Sequence, residues 1–171
     1  MQLLTSNFSL LVRSKSHATI LILQFFNNAI STKQFPRTLE LLKMHAPKVL
    51  HTKCFNPSHL TFKKEVVNTE LGHLFEHILL SFLCEEKIRA GADRAFFDGV
   101  TLWNWSRYPK GNFKIVVSGR IEKTILHAAL LQTIHVIELL LSASTESIEI
   151  LNSHRQQPHL RPLSKSSLLV S

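Results

Sequence analysis

Cysteine is rare in this sequence: only Cys54 and Cys84 occur among 171 residues. They are far apart and form no C-x-x-C pair, which excludes a disulfide framework and leads us to expect a reducing, cytoplasmic setting. Long apolar runs are missing too. They stay at about seven residues or fewer, against the roughly 20 that span a bilayer. The opening residues show no basic start followed by an apolar stretch and a small-residue cleavage site, so no signal peptide is expected. Basic runs of five or more are absent, although the net charge is +8. That excess would suit an anionic partner such as nucleic acid, a membrane surface or an acidic polymer. The basic residues are scattered and no clustered motif accompanies them, so neither nucleic acid nor membrane is the expected partner. There is no internal repeat.

What remains is the composition of one globular domain, 44% hydrophobic and 19% charged, long enough to bury a core. Residues 1–16 are mixed, with a possible strand start at Leu10–Val12, and are set apart as an N-terminal segment. Ala18 to Phe26 is apolar, partly β-branched and bounded by Asn27-Asn28, which predicts a buried strand. A helix is predicted from about Pro36 through Met44, with Ser31 or Thr32 able to cap this region and Pro47 closing it. Lys48 to Phe55 reads as a second strand, stopped by Asn56-Pro57. Residues 56–67 connect to a long helix.

That helix begins at Asn68 or Thr69, either of which could cap it, with Glu70 complementing its dipole. It runs to about residues 87–90, and Gly91 is the expected stop. Leu71, Leu74, Phe75, Ile78, Leu79, Phe82 and Leu83 make a wide apolar face. At about 100° per residue, His73, Glu76 and His77 fall on the other side, beside Leu80 and Cys84. A helix apolar nearly all round is buried, and its polar groups must be paired or bound to something. Further on, Val100 to Trp105 and Phe113 to Val117, joined by the turn at Pro109-Lys110-Gly111-Asn112, predict a hairpin with Trp103 and Trp105 on one face. Glu122 to about Ser142 is the last helix. Residues 150–171 are polar and Ser-rich, and are expected to form a disordered tail.

His73, Glu76 and His77 form an H-x-x-E-H array, the inverted zinc-protease arrangement. In that chemistry His73 and His77 each give one ring nitrogen to a zinc ion. Glu76 is the general base that activates water. A third protein ligand must come from elsewhere, and a fourth position must stay open. An antiparallel return of the last helix would bring Glu138 opposite the array, which makes it the first choice for third ligand. Glu122 is the alternative in a different helix register. The competing reading is that the histidines and Glu76 only hydrogen-bond on a buried face, since ligand spacing also arises by chance.

Thr69-Glu70-Leu71-Gly72-His73-Leu74-Phe75-Glu76-His77, the downstream Phe97-Asp98-Gly99-Val100-Thr101-Leu102-Trp103-Asn104-Trp105, and Gly111-Asn112-Phe113-Lys114-Ile115-Val116-Val117 carry a resemblance. Over about residues 17–143 the chain resembles the N-terminal domain of cyanophycin synthetases, in particular stand-alone proteins made of that domain only. The resemblance implies either a metallopeptidase-like site that trims polymer into primers, or a module that holds the polymer chain. His73, Glu76 and His77 match its motif; neither Glu138 nor Glu122 matches a motif position. The ATP-grasp and ligase domains of full synthetases do not fit in this length. No P-loop G-x-x-x-x-G-K-[ST] is present, so ATP-dependent polymerisation is not expected. Cyanophycin carries both Asp and Arg, so the basic balance does not discriminate.

The expectation is an α+β domain over 17–149 in the order βαβαββα. It is a two-layer sandwich with a mixed or antiparallel sheet, helices mostly on one face and the H-x-x-E-H array on the central helix. The expected function is zinc-dependent hydrolysis of a peptide-like substrate. The alternative is a non-catalytic binding or assembly module.

Overall fold

The computed structural model describes residues 1–26, 30–54 and 61–155, with 143–155 described by their backbone alone. Three strands open the chain: β1 (Gln2–Leu4), β2 (Phe8–Ser14) and β3 (Ala18–Phe25). Helix α1 (Thr38–His45), a 3-10 turn (Pro47–His51), the short helix α2 (Phe62–Glu65) and the long helix α3 (Leu71–Arg89) come next. Strands β4 (Gly99–Leu102) and β5 (Asn112–Ser118) then lead into α4 (Lys123–Arg155). The five strands form one sheet in the order β1-β2-β3-β5-β4, and every pairing is antiparallel. The fold is thus α+β, as the sequence pattern predicts.

Alternation sets which way the sheet faces. Along β2 and β3, Phe8, Leu10, Val12, Leu21, Leu23 and Phe25 are buried, while Ser9, Leu11, Ile20, Ile22 and Gln24 point to the other face. The period of two puts every second side chain into the core. β5 repeats the pattern with Phe113, Ile115 and Val117. Helix α3 fills the core over this face with Leu71, Leu74, Phe75, Ile78 and Leu79, all fully buried. Phe75 meets the edge of Phe8, with ring centroids 6.3 Å apart. Helix α3 also approaches β5 so closely that a Cβ on Gly72 would overlap the Phe113 ring. A hydrogen is all that fits there. Helix α4 packs along α3 and against α1. Its stretch Lys123–Ser142 is the one helix among the described residues long and apolar enough to cross a bilayer, with a mean hydropathy of 1.6. Half of that stretch is buried inside the fold, as in the core helix of a compact domain.

Several expectations are corrected. The predicted order βαβαββα is replaced by three strands, three helices, two strands and a helix. Residues 1–16 supply two of the five strands. Their sequence signal is weak because β1 is short, and β2 is specified by its partner: Leu11 lies opposite Ile22 and Val12 opposite Leu21. The turn between them is tied by Thr5, whose Oγ1 accepts from the backbone N–H of Asn7 and Phe8 at 3.1 and 3.0 Å. The predicted strand from Lys48 to Phe55 is a 3-10 turn instead; Phe55 lies outside the described residues. Pro47 starts it, and Val49 and Leu50 are buried as neighbours rather than alternately. Strand β4 ends at Leu102, so Trp103 and Trp105 lie in the connection, where both rings pack on Phe113 at 6.1 and 5.9 Å. Helix α4 continues past Ser142 to Arg155, and residues 156–171 of the predicted tail lie outside the described residues.

Candidate metal centre

The start of α3 is clamped before any functional group is placed. The Thr32 N–H donates to the Thr69 carbonyl at 2.8 Å, and the Thr69 N–H donates to Thr32 Oγ1 at 2.9 Å. The Leu71 N–H donates to the Ile30 carbonyl at 2.9 Å. The cap position falls on Glu70, and no side chain caps the helix. The expected cap, Thr69, spends its hydroxyl elsewhere. Its Oγ1 lies 2.8 Å from Nδ1 of His73, one turn on.

His73 and His77 face the connection after α1 rather than α4. Phe62 of α2 stacks on the His77 ring, with centroids 3.8 Å apart and planes within 14°. The same ring meets His73 edge-on at 5.9 Å. His77 is buried, and that burial, aided by repulsion from His73, lowers its pKa to about 3. The ring is therefore neutral at physiological pH, the form that binds metal.

The hydrogen-bond network assigns the ring protons. Thr52 Oγ1 lies 2.7 Å from the Val49 carbonyl oxygen and 2.9 Å from His77 Nδ1. A carbonyl only accepts, so the hydroxyl donates to Val49 and Nδ1–H of His77 donates to Thr52. The lone pair of His77 then sits on Nε2. At His73, Glu65 Oε1 lies 3.6 Å from Nδ1 on the side of Thr69. A carboxylate there favours the proton on Nδ1, as in carboxylate–histidine–metal arrangements. Both Nε2 lone pairs then point into one space.

The two Nε2 atoms are 3.1 Å apart, and Cys54 Sγ lies 3.4 Å from Nε2 of His73. All three atoms fall within 4.8 Å of one another. Facing lone pairs repel unless a positive centre lies between them. A proton does this for two atoms; a metal ion does it for three. A tetrahedral zinc with bonds of about 2.0–2.3 Å sets its ligand atoms roughly 3.3–3.6 Å apart. The observed separations of 3.1 and 3.4 Å are close to that spacing. Cys54, His73 and His77 could therefore hold a metal ion.

The other expected residues are placed elsewhere. Glu76 is buried, and its Oε2 accepts from the Thr101 hydroxyl of β4. Burial raises its pKa, against opposing pulls from the Thr101 hydroxyl and from His73. Glu138 is not brought to the histidines: its Oε2 accepts from Asn7 Nδ2 at 2.5 Å, at the β1–β2 turn. Its Oε1 is buried without a hydrogen-bond partner among the described residues. Glu122 pairs with Lys87 at the far end of α3, at 2.5 Å. Both carboxylates miss because the histidine face turns toward Thr52, Cys54, Phe62 and Glu65, while α4 covers a different side of α3. Sequence reasoning also missed Cys54, Thr52 and Glu65. Thr69, four residues before His73, carried a readable signal in its i,i+4 spacing. The others reach the site only through the path of the connection.

No protein-family model matches the chain, and a search of curated proteins finds no match.

Proposed function

We propose that this protein is a zinc-dependent hydrolase of a peptide-like substrate, with the ion held by Cys54, His73 and His77. One observation carries the reading: two imidazole nitrogens and a thiol converge at 3.1 and 3.4 Å, with both Nδ1 atoms engaged elsewhere. Imidazole with thiolate is a donor set that suits zinc. Three protein ligands leave a fourth position, the pattern of catalytic rather than structural zinc. Cys54 and His73 are only partly buried, so the cluster is not sealed from solvent. Zinc bound there would supply Lewis acidity and ease the deprotonation of water. Cys54 would bind as thiolate, and Thr52, Thr69 and Glu65 would hold the rings in the ligating tautomer. Glu76, next to His77 on α3, would take the proton from the attacking water. The resemblance to cyanophycin synthetase N-terminal domains supports a peptide-like polymer as substrate class.

The alternative, a non-catalytic binding or assembly module, draws on the bond from Thr101 to Glu76. A carboxylate engaged by the Thr101 hydroxyl is less free to act as a base. Elemental analysis of the purified chain, with Cys54→Ala, His77→Ala and Glu138→Gln beside it, tests the ion. About one zinc per chain is expected, lost in the first two variants and kept in the third. A chain that neither contains nor takes up zinc would end the metal reading. With zinc in place, peptide hydrolysis that disappears in Glu76→Gln supports the enzyme. Zinc binding without hydrolysis would leave the module.

A further inference from the structure

At the opposite end of α3 from the histidines, roughly 20 Å away along the helix axis, a cleft of about 290 Å³ opens. It lies between the end of α3, the connection into β4 and the start of α4. Lys87, Arg94 and Arg120 line it, with Glu122 as the one carboxylate. Glu122 is already paired with Lys87. Neither Arg94 nor Arg120 has an ion-pair partner among the described residues, and both are exposed. Three cations against one carboxylate leave two positive charges uncompensated.

The rest of the cleft is apolar. Ile121 and Ile125 are buried beneath it, and Phe97 is partly buried against the core. Phe96 stands on the rim 83% exposed, a large aromatic surface that the chain itself does not cover. Solitary exposed aromatics are ordinary. One at the mouth of a cleft that is cationic on one side and apolar on the other is placed to cover a ligand.

We propose that this cleft binds an organic phosphate monoester, with its phosphate on Arg94 and Arg120 and a flat apolar group against Phe96, Phe97 and Ile121. A phosphate monoester carries nearly two negative charges at neutral pH, which matches the two unpaired guanidinium groups. Guanidinium groups suit it because their forked donors meet phosphate oxygens in pairs. The space is adequate: a cavity of about 150 Å³ takes up benzene, so the cleft admits one ring with its phosphate.

The test is calorimetric titration of the full chain with phenyl phosphate, inorganic phosphate and phenol. One saturable site for phenyl phosphate is expected, at least about tenfold tighter than for either fragment alone. The double variant Arg94→Gln/Arg120→Gln should weaken it about tenfold or more and melt like the parent, since both side chains are exposed. Lys110→Gln, an exposed lysine at the opposite end of β5 from Arg120, and His77→Ala should leave it unchanged. The last control separates the cleft from the metal centre. No saturable binding at millimolar phenyl phosphate would overturn the proposal, as would equal affinity for inorganic phosphate. Affinity unchanged in the double variant, or lost in His77→Ala, would overturn it too.

Discussion

Thr52 touches none of the three candidate ligand atoms, yet it decides what His77 can do. Its hydroxyl proton is committed to the Val49 carbonyl, so it can only accept from the imidazole. That choice leaves Nε2 of His77 with its lone pair facing His73 and Cys54. Groups in this position commonly change metal affinity by about 10- to 100-fold when removed. Thr52→Val keeps the shape and deletes the acceptor. Its zinc affinity, measured by competition with a chelator, should fall within that range while the chain stays folded. An unchanged affinity would mean that the tautomer is set some other way. At His73 the neighbours of Nδ1 are Thr69 Oγ1, just before the helix, at 2.8 Å and the Glu65 carboxylate at 3.6 Å. The H-x-x-E-H spacing could name the two rings, because four residues is about one helical turn. It could not name Cys54, which lies on a connection folded back onto that turn.

At the scale of elements, α3 and the sheet specify each other. The core face of β3 is set by Leu21, Leu23 and Phe25, and Ile20 and Ile22 look outward although they are equally apolar. Sequence alone reads this run as a buried strand and does not choose between its faces, because both are hydrophobic. The pairing with β2 and β5 makes the choice. Leu23→Ala should therefore cost about 2–5 kcal/mol, as buried leucines do. Ile22→Ala, at a position 38% exposed, should cost less than about 1 kcal/mol. Chemical denaturation of both variants measures the difference, and equal losses would contradict the assigned register. Gly72 shows the same dependence in reverse. It reads as an ordinary helix residue until Phe113 is found where its Cβ would be.

Across the whole molecule, the first strands and the last helix enclose one core. Phe8, Leu10 and Val12 of β2 belong to the same buried cluster as α3 and α4. A chain beginning at residue 17 would lose all three and leave β3 with one unpaired edge. Such a truncation should show no cooperative melting by circular dichroism, in contrast to the full chain. A truncated chain that melts cooperatively would confine the folding unit to the remaining strands. The two carboxylates expected as third ligands also find their place at this scale. Glu138 meets Asn7 across the β1–β2 turn, and Glu122 meets Lys87. Each reports how α4 lies on the rest of the fold and neither reports a metal.

The α+β class, the long central helix, the β4–β5 hairpin and the two histidines on one helical face are all legible in the residues alone. They come from short-range rules: the periods of two and 3.6 residues, turn chemistry, and side chains that neighbour each other within one helical turn. The remaining features arise only when the chain closes on itself. Closure recruits residues 1–16 into the sheet and turns Lys48 to Cys54 from a predicted strand into a 3-10 turn and its continuation. It also carries Cys54 to the histidines in place of Glu138. Those outcomes depend on contacts between residues far apart along the chain. The energy of such contacts comes from shared burial that no local window contains.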